Sequence, residues 1–319
     1  MKNVIIGIDG GSVNHILPQV KRGKLNNFQK IFDDGFVSNL SVTEPPVTIP
    51  SFPCIFSGMD VKDLGKCELY NLDYGVFSSK YWREKSIFSL EEIKTFCLNI
   101  PATYPAWKIN GEMVTGFLSP AINENMVYPK SLLAEIKNKW IIDGKNVDEI
   151  FRAFEIKKKF FLKKLKEDFD LLIYIIRMPD LITHHPEFLL KNTSKNIKKA
   201  YRKIDEFLGI LLDNPNIDNL IVLSDHGLKK YPKQFSIKKY LESEKILNYN
   251  QTDIIFKLLS FLFKLLIYLN PKFLDIKYFH NKIKDIFKDR IKLKPIKNHI
   301  DSRFVQFYSN YGGIFLGAK

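Results

Sequence analysis

Acids and imidazoles stand where apolar runs stop. Val4-Ile5-Ile6-Gly7-Ile8 ends at Asp9, followed by Gly10-Gly11. Leu171-Leu172-Ile173-Tyr174-Ile175-Ile176 ends at Arg177-Met178-Pro179-Asp180, with His184 and His185 just beyond. Leu220-Ile221-Val222-Leu223 ends at Ser224-Asp225-His226-Gly227. Carboxylate oxygen beside imidazole nitrogen is a donor set that suits Zn²⁺, Mn²⁺ or Fe²⁺ better than Mg²⁺. Asp180 and His184 are four apart, so a helical turn would put both on one face. The best candidate nucleophile is Thr48, within Pro45-Pro46-Val47-Thr48-Ile49-Pro50-Ser51-Phe52-Pro53. A free threonine hydroxyl attacks poorly, but a metal at its oxygen lowers its pKa and makes the alkoxide accessible. Each element also has a plain structural explanation. Asp225 can cap a turn, Asp9 can cap a helix, a lone histidine can be structural, and Thr48 can be incidental to a stiff loop.

These residues converge only if their strands are neighbours. The apolar runs have strand length and β-branched content, and segments of helical character separate them. A helix is expected within Ile16–Asp34, stopped by Gly35. An amphipathic basic helix is expected near Val147–Glu167, and another over Ser194–Leu212. Strand-helix-strand alternation predicts an α/β fold with a largely parallel sheet sandwiched by helices. In such a sheet, ligands gather beyond the carboxyl ends of the strands. Residues 250–295 interrupt the rhythm and read as a helical insertion or cap within a single domain, 1–319. Phe304–Tyr308 and Gly312–Leu316 resemble a hairpin.

Composition narrows the class. The chain has 319 residues, 45% of them hydrophobic and 13% aromatic, which supports a packed core and excludes a disordered chain. The formal charge of +14 is spread along the chain, as in Lys157-Lys158-Lys159 and Lys198-Lys199. That distribution reads as solvated helix surfaces and argues against nucleic acid as a partner. Cys54, Cys67 and Cys97 are three in number with no CxxC spacing, so a disulfide framework is not expected. The first strand begins almost at the N-terminus with no basic head or cleavage site, which points to a cytoplasmic protein.

One segment, 252–270, qualifies that location. Ile254–Leu269 is apolar except for Lys257, Ser260 and Lys264, which with Asp253 form one narrow helical stripe. Its uninterrupted apolar stretches are too short to span a bilayer. A helix packed in a cap is the favoured reading, and a peripheral helix on a membrane surface is the alternative.

Taken in order, these motifs resemble the type I phosphodiesterase/nucleotide pyrophosphatase family of the alkaline phosphatase superfamily. Ile8-Asp9-Gly10-Gly11 is similar to its opening metal-binding strand. Gly23-Lys24-Leu25-Asn26-Asn27-Phe28 with Asp34-Gly35 resembles its "G-x-L-P-N-x-x-x-L…G" helix. Pro45-Pro46-Val47-Thr48 followed by Ser57-Gly58 resembles its nucleophile segment. Asn99–Pro105 and Asn110–Phe117 are similar to a stretch of microbial members, and Asp180…His184 with Ser224-Asp225-His226-Gly227 matches the rest of the metal signature. No Cys/Ser-x-Pro-x-Arg run marks a sulfatase at the nucleophile.

The resemblance implies a metal-dependent hydrolase of phosphodiesters or nucleotide pyrophosphates acting on a phosphorylated small molecule. It implies two divalent ions, with zinc expected and Mn or Fe as alternatives. Asp9, Thr48, Asp225 and His226 would hold one ion, and Asp180 and His184 the other. Thr48 would attack phosphorus to give a covalent phospho-threonine or nucleotidyl-threonine enzyme, later hydrolysed by water. Gly65-Lys66-Cys67-Glu68 departs from the family's Gly-Lys-His-Gly, and Asn71 nearby is a candidate phosphate contact. Relatives bring a third histidine to the second ion from beyond the region matching Gly312–Phe315; here His299 is the candidate substitute. Phosphotransfer to a sugar or lipid headgroup is the alternative chemistry. A shortened, weakly active or inactive member acting as a binding protein is the other alternative.

Overall fold

The computed structural model describes residues 1–66, 70–71, 75–184 and 194–228, together with short strands at 305–307 and 314–316. The chain divides into two compact units, Met1–Lys230 and Tyr231–Lys319. In the first, β1 (Asn3–Ile8) leads into α1 (Val13–Val20) and α2 (Asn26–Asp34). Next come α3 (Thr48–Ser57), α4 (Val61–Leu64) and an antiparallel hairpin of β2 (Tyr70–Asn71) and β3 (Gly75–Val76). Then follow β4 (Thr95–Ile100), β5 (Gly111–Thr115), β6 (Val127–Tyr128), α5 (Leu133–Ile136) and α6 (Val147–Lys164). The unit closes with β7 (Leu171–Ile176), α7 (Met178–His184), α8 (Ser194–Leu212) and β8 (Asn219–Leu223). In the second unit, β9 (Val305–Phe307) and β10 (Ile314–Leu316) pair antiparallel, as the hairpin reading expects.

Six strands form one sheet in the order β6-β5-β4-β7-β1-β8. Every pairing is parallel except that of β5 with β6. This is the expected mixed, mostly parallel α/β sheet. Because β1 lies between β7 and β8, the three strand ends that carry the acids are adjacent at one edge.

The strand period of two feeds two cores. Val4, Ile6, Ile8, Leu172, Tyr174 and Ile176 pack on one face with aromatics of α6 and α8, including Phe154, Phe161 and Phe207. Ile5, Leu171, Ile173 and Ile175 pack on the other with Phe52 and Phe56 of α3 and with Trp82 and Phe88. Each large side chain buried this way contributes about 1.5–3 kcal/mol. Helices over both faces are what the continuous apolar strands demand.

The helix expected within Ile16–Asp34 and stopped by Gly35 is α2, and a separate helix, α1, precedes it. Gly23 adopts φ +63°, its N–H bonds Val20 O, and the Lys24 N–H bonds Gln19 O. That pair of bonds is a Schellman stop, which ends α1 before α2 begins. One expectation is corrected: the uninterrupted apolar run Leu220–Leu223 predicts a buried strand, yet β8 is the sheet edge among the described residues and Ile221 is 49% exposed. The insertion expected over 250–295, the segment 252–270, Cys67 and His299 lie outside the described residues. Cys54 and Cys97 are buried free thiols. Among the described residues, no helix is long and apolar enough to cross a membrane.

A polar strut crosses the first core. β4 shifts register between Leu98 and Ile100, and Asn99 between them takes φ +61°, a conformation that asparagine tolerates. Its Nδ2 donates to Ile175 O at 2.7 Å, linking β4 to β7 just past the last paired residues. Its Oδ1 accepts from Lys157 Nζ at 2.8 Å, and the same ammonium donates to Ile142 O at 2.6 Å. Burial pulls the Lys157 pKa down to about 8, against the pull of Asp143 and with help from the Arg177 charge. Since an unfolded lysine titrates near 10.5, the unfolded chain holds more protons between those values, and stability gains from rising pH there. Denaturant unfolding of wild type and Lys157→Met, from neutral pH upward, should show a gap that shifts in favour of wild type between about pH 8 and 10.5. A gap that stays flat across that window would rule the effect out.

Candidate metal centre at the sheet edge

Backbone bonds fix the first acid. The Asp9 N–H donates to Ile176 O at 2.9 Å, so the β1–β7 ladder runs one residue past β1. The chain then turns at Gly10, whose φ of +67° favours glycine. The Gly10 N–H donates to Asp225 Oδ1 at 3.1 Å, tying the turn after β1 to the residue after β8. From α8, the Tyr201 hydroxyl accepts from the Ser12 N–H at 3.0 Å. Asp9 and Asp225 are thereby buried side by side.

The hydroxyl comes from the other face of the sheet. Pro50 biases its predecessor away from helical geometry, and Ile49 is extended at φ −112°, ψ 115°. Thr48 therefore stands ahead of the regular turns of α3, which Phe52 and Phe56 anchor to the core. Thr48 Oγ1 donates to Asp9 Oδ1 at 3.2 Å and lies 3.4 Å from His226 Nε2. His226 Nδ1 is 3.1 Å from Gly227 O; a carbonyl only accepts, so Nδ1 carries the proton. That tautomer turns the Nε2 lone pair towards Thr48, Asp9 Oδ1 at 3.6 Å and Asp225 Oδ2 at 3.4 Å. Donor atoms of Asp9, Asp225 and His226 all lie within 4.8 Å of one another.

A second pair flanks this cluster. Asp180 and His184 share one face of α7, as their spacing predicts, with His184 Nε2 3.3 Å from Asp180 Oδ1. The contact is within reach of charge attraction but lacks hydrogen-bond alignment, since Asp180 Oδ1 accepts no hydrogen bond. Asp180 is buried while the His184 side chain is 77% exposed.

Arg177 joins the two groups, a role that sequence inspection missed. Its Nε donates to Asp9 Oδ2 at 2.8 Å, its Nη1 to Asp143 Oδ2 at 2.5 Å, and its Nη2 lies 3.6 Å from Asp180 Oδ2. The guanidinium also stacks 4.0 Å over the ring of Phe117. The available signal was a cation directly after six apolar residues at a strand end. Asp143 carries no such signal, because it lies in a loop far from every motif.

Burial raises the Asp9 pKa despite the Arg177 charge, and Asp180 adds to the rise. Burial also pushes Asp225 well above the carboxylate range, reinforced by Asp9. For Asp180 burial acts upward too, but His184, Arg177 and His226 outweigh it and bring its pKa down. Asp180 in turn raises the pKa of His184. Asp225 Oδ2 and Asp180 Oδ1 are buried and accept no hydrogen bond from the described residues. Buried carboxylate oxygens left without donors, beside imidazole nitrogens, are the environment a divalent cation would satisfy. The donor set present fits such an ion.

The structure thus brings Asp9, Thr48, Asp225 and His226 together and sets Asp180 and His184 beside them. Asn71 falls in the β2–β3 hairpin with its side chain outside the described set. Tightness at the turn is testable. A Cβ on Gly10 would stand 3.2 Å from Asp180 Cβ, in a backbone conformation costly to any other residue. Gly10→Ala should lower the unfolding free energy by roughly 1–2 kcal/mol, measured by denaturant titration of metal-free protein. An unchanged midpoint would show that the turn relaxes freely.

No curated protein matches the chain. The family model described as Type I phosphodiesterase / nucleotide pyrophosphatase matches residues 3–309. A match over nearly the whole length places this protein in the type I phosphodiesterase/nucleotide pyrophosphatase family, within the alkaline phosphatase superfamily.

Proposed function

We propose that the protein is a metal-dependent hydrolase of phosphodiesters or nucleotide pyrophosphates, with Thr48 as its nucleophile. The observation that carries this is the position of Thr48 Oγ1, 3.2 Å from Asp9 Oδ1 and 3.4 Å from His226 Nε2. Asp9, Thr48, Asp225 and His226 would hold one divalent ion, and Asp180 and His184 would contribute to a second. Zinc suits the mixed oxygen and nitrogen donors best. When bound, such ions supply positive charge that favours the threonine alkoxide and neutralises phosphate oxygens.

The residues themselves do the rest. Asp9 Oδ1 accepts the hydroxyl hydrogen bond and points Thr48 Oγ1 into the cluster. Arg177 Nε holds the other oxygen of that carboxylate, and the bonds from Gly10 N–H to Asp225 and from Ser12 N–H to Tyr201 tie down the turn after it, which limits the motion of the attacking oxygen. Thr48 Oγ1 releases its proton to water and attacks phosphorus, the bond to the leaving alkoxide or nucleoside phosphate breaks, and the remaining half of the substrate stays esterified to the threonine through that phosphorus. Water then attacks the same phosphorus and returns the threonine.

Hydrolysis of bis-(p-nitrophenyl) phosphate by zinc- or manganese-loaded protein tests the reading. Thr48→Ala should lose about 10³-fold or more of the rate while still binding metal through Asp9, Asp225 and His226. Wild-type turnover in Thr48→Ala, or no turnover by the metal-loaded wild type, would sink it. Added acceptor alcohols distinguish hydrolysis from phosphotransfer, because only transfer yields the corresponding phosphate ester.

A further inference from the structure

Arg177 divides the oxygens of two carboxylates between two tasks. On Asp9, Oδ2 takes the Arg177 Nε–H at 2.8 Å, while Oδ1 takes the Thr48 hydroxyl and lies 3.6 Å from His226 Nε2. On Asp180, Oδ2 lies 3.6 Å from Arg177 Nη2, while Oδ1 lies 3.3 Å from His184 Nε2. In both cases Oδ2 faces the arginine and Oδ1 faces a ligand group. One planar guanidinium can do this because its Nε and Nη2 share an edge, and Nη1 is left to bond Asp143 at 2.5 Å.

The arginine is itself held. Its side chain is 5% exposed and lies over Phe117 at 4.0 Å. Asp143 belongs to the loop that Lys157 grips at Ile142 O. Swinging Arg177 away would leave Asp9 Oδ2 buried without that donor, which is costly for a charged oxygen.

We propose that Arg177 is a positioning residue that restricts Asp9 and Asp180 to one ligating oxygen each, and thereby sets the coordination number of the bound ions. The assignment rests on the metal-dependent reading above. A lysine would keep the charge but, as a compact ammonium, could not present the same fork to both carboxylates.

The test uses cobalt, whose visible absorption weakens as coordination number rises, together with zinc affinity from chelator competition. In Arg177→Met, Asp9 is free to offer both oxygens. Its cobalt band should be weaker than that of wild type, and zinc affinity should fall about 10-fold or more. Arg177→Lys should resemble Arg177→Met. Asp143→Asn, which leaves every ligand and the arginine in place, should shift the band in the same direction by less. It carries the test if the Arg177 variants do not fold. A wild-type spectrum and affinity in Arg177→Met, full rescue by Arg177→Lys, or an unaltered Asp143→Asn where the Arg177 variants fail to fold would overturn the proposal. If wild-type protein bound neither cobalt nor zinc, this proposal and the hydrolase reading would both fall. Wild-type metal binding and turnover with unaltered variants would remove this proposal alone.

Discussion

Three carboxylates buried together at the end of a sheet are the constraint on which the site depends. Asp9, Asp180 and Asp225 are each almost fully enclosed. Taking one ionised carboxylate out of water costs several kcal/mol, and neighbouring like charges add to that. Burial and mutual repulsion push Asp9 and Asp225 towards their neutral forms. Arg177 supplies one fixed positive charge against three acids. A cluster so arranged has its strongest stabilisation available from added cations, and the oxygens without donors lie where the imidazoles also point.

The scaffold follows from that demand. Ligands cannot be held close against their own repulsion unless the backbone beneath them is stiff. β1 is braced on both sides by parallel neighbours, and the Asp9 N–H is bonded beyond the strand end. The turn at Gly10 is tied to Asp225 and leaves little room for a side chain against Asp180. On the opposite face, the stacked Phe52 and Phe56 fix α3, so the hydroxyl at its start has little freedom. Packing energy spread over two cores is in this sense converted into position at one edge.

The network behind the site has a different character. Arg177, Asp143, Lys157 and Asn99 form a chain of polar groups passing from the ligand cluster into the core beneath α6. Buried networks of this kind rigidify when every member is satisfied. Here, among the described residues, Asp143 Oδ1 is the one side-chain oxygen of this network left without a hydrogen bond.

Much of this was legible in the residues. Apolar runs ending in Asp9, Asp180 and Asp225 announced a parallel sheet with ligands at its edge, because strand period and ligand chemistry are local properties of the chain. The four-residue spacing placed Asp180 beside His184 for the same reason. Other features were not legible. The break between α1 and α2 depended on one glycine adopting a left-handed conformation, and the exposure of β8 depended on its place at the sheet edge. Arg177 could be seen as an odd cation after a strand. Its partners, though, are 168 and 34 residues away in sequence, at Asp9 and Asp143. Periodicity and spacing therefore determined which residues could do chemistry and which sheet would carry them. Only the tertiary structure decided which oxygen of each carboxylate is occupied, because that choice is made by contacts between segments that are distant along the chain.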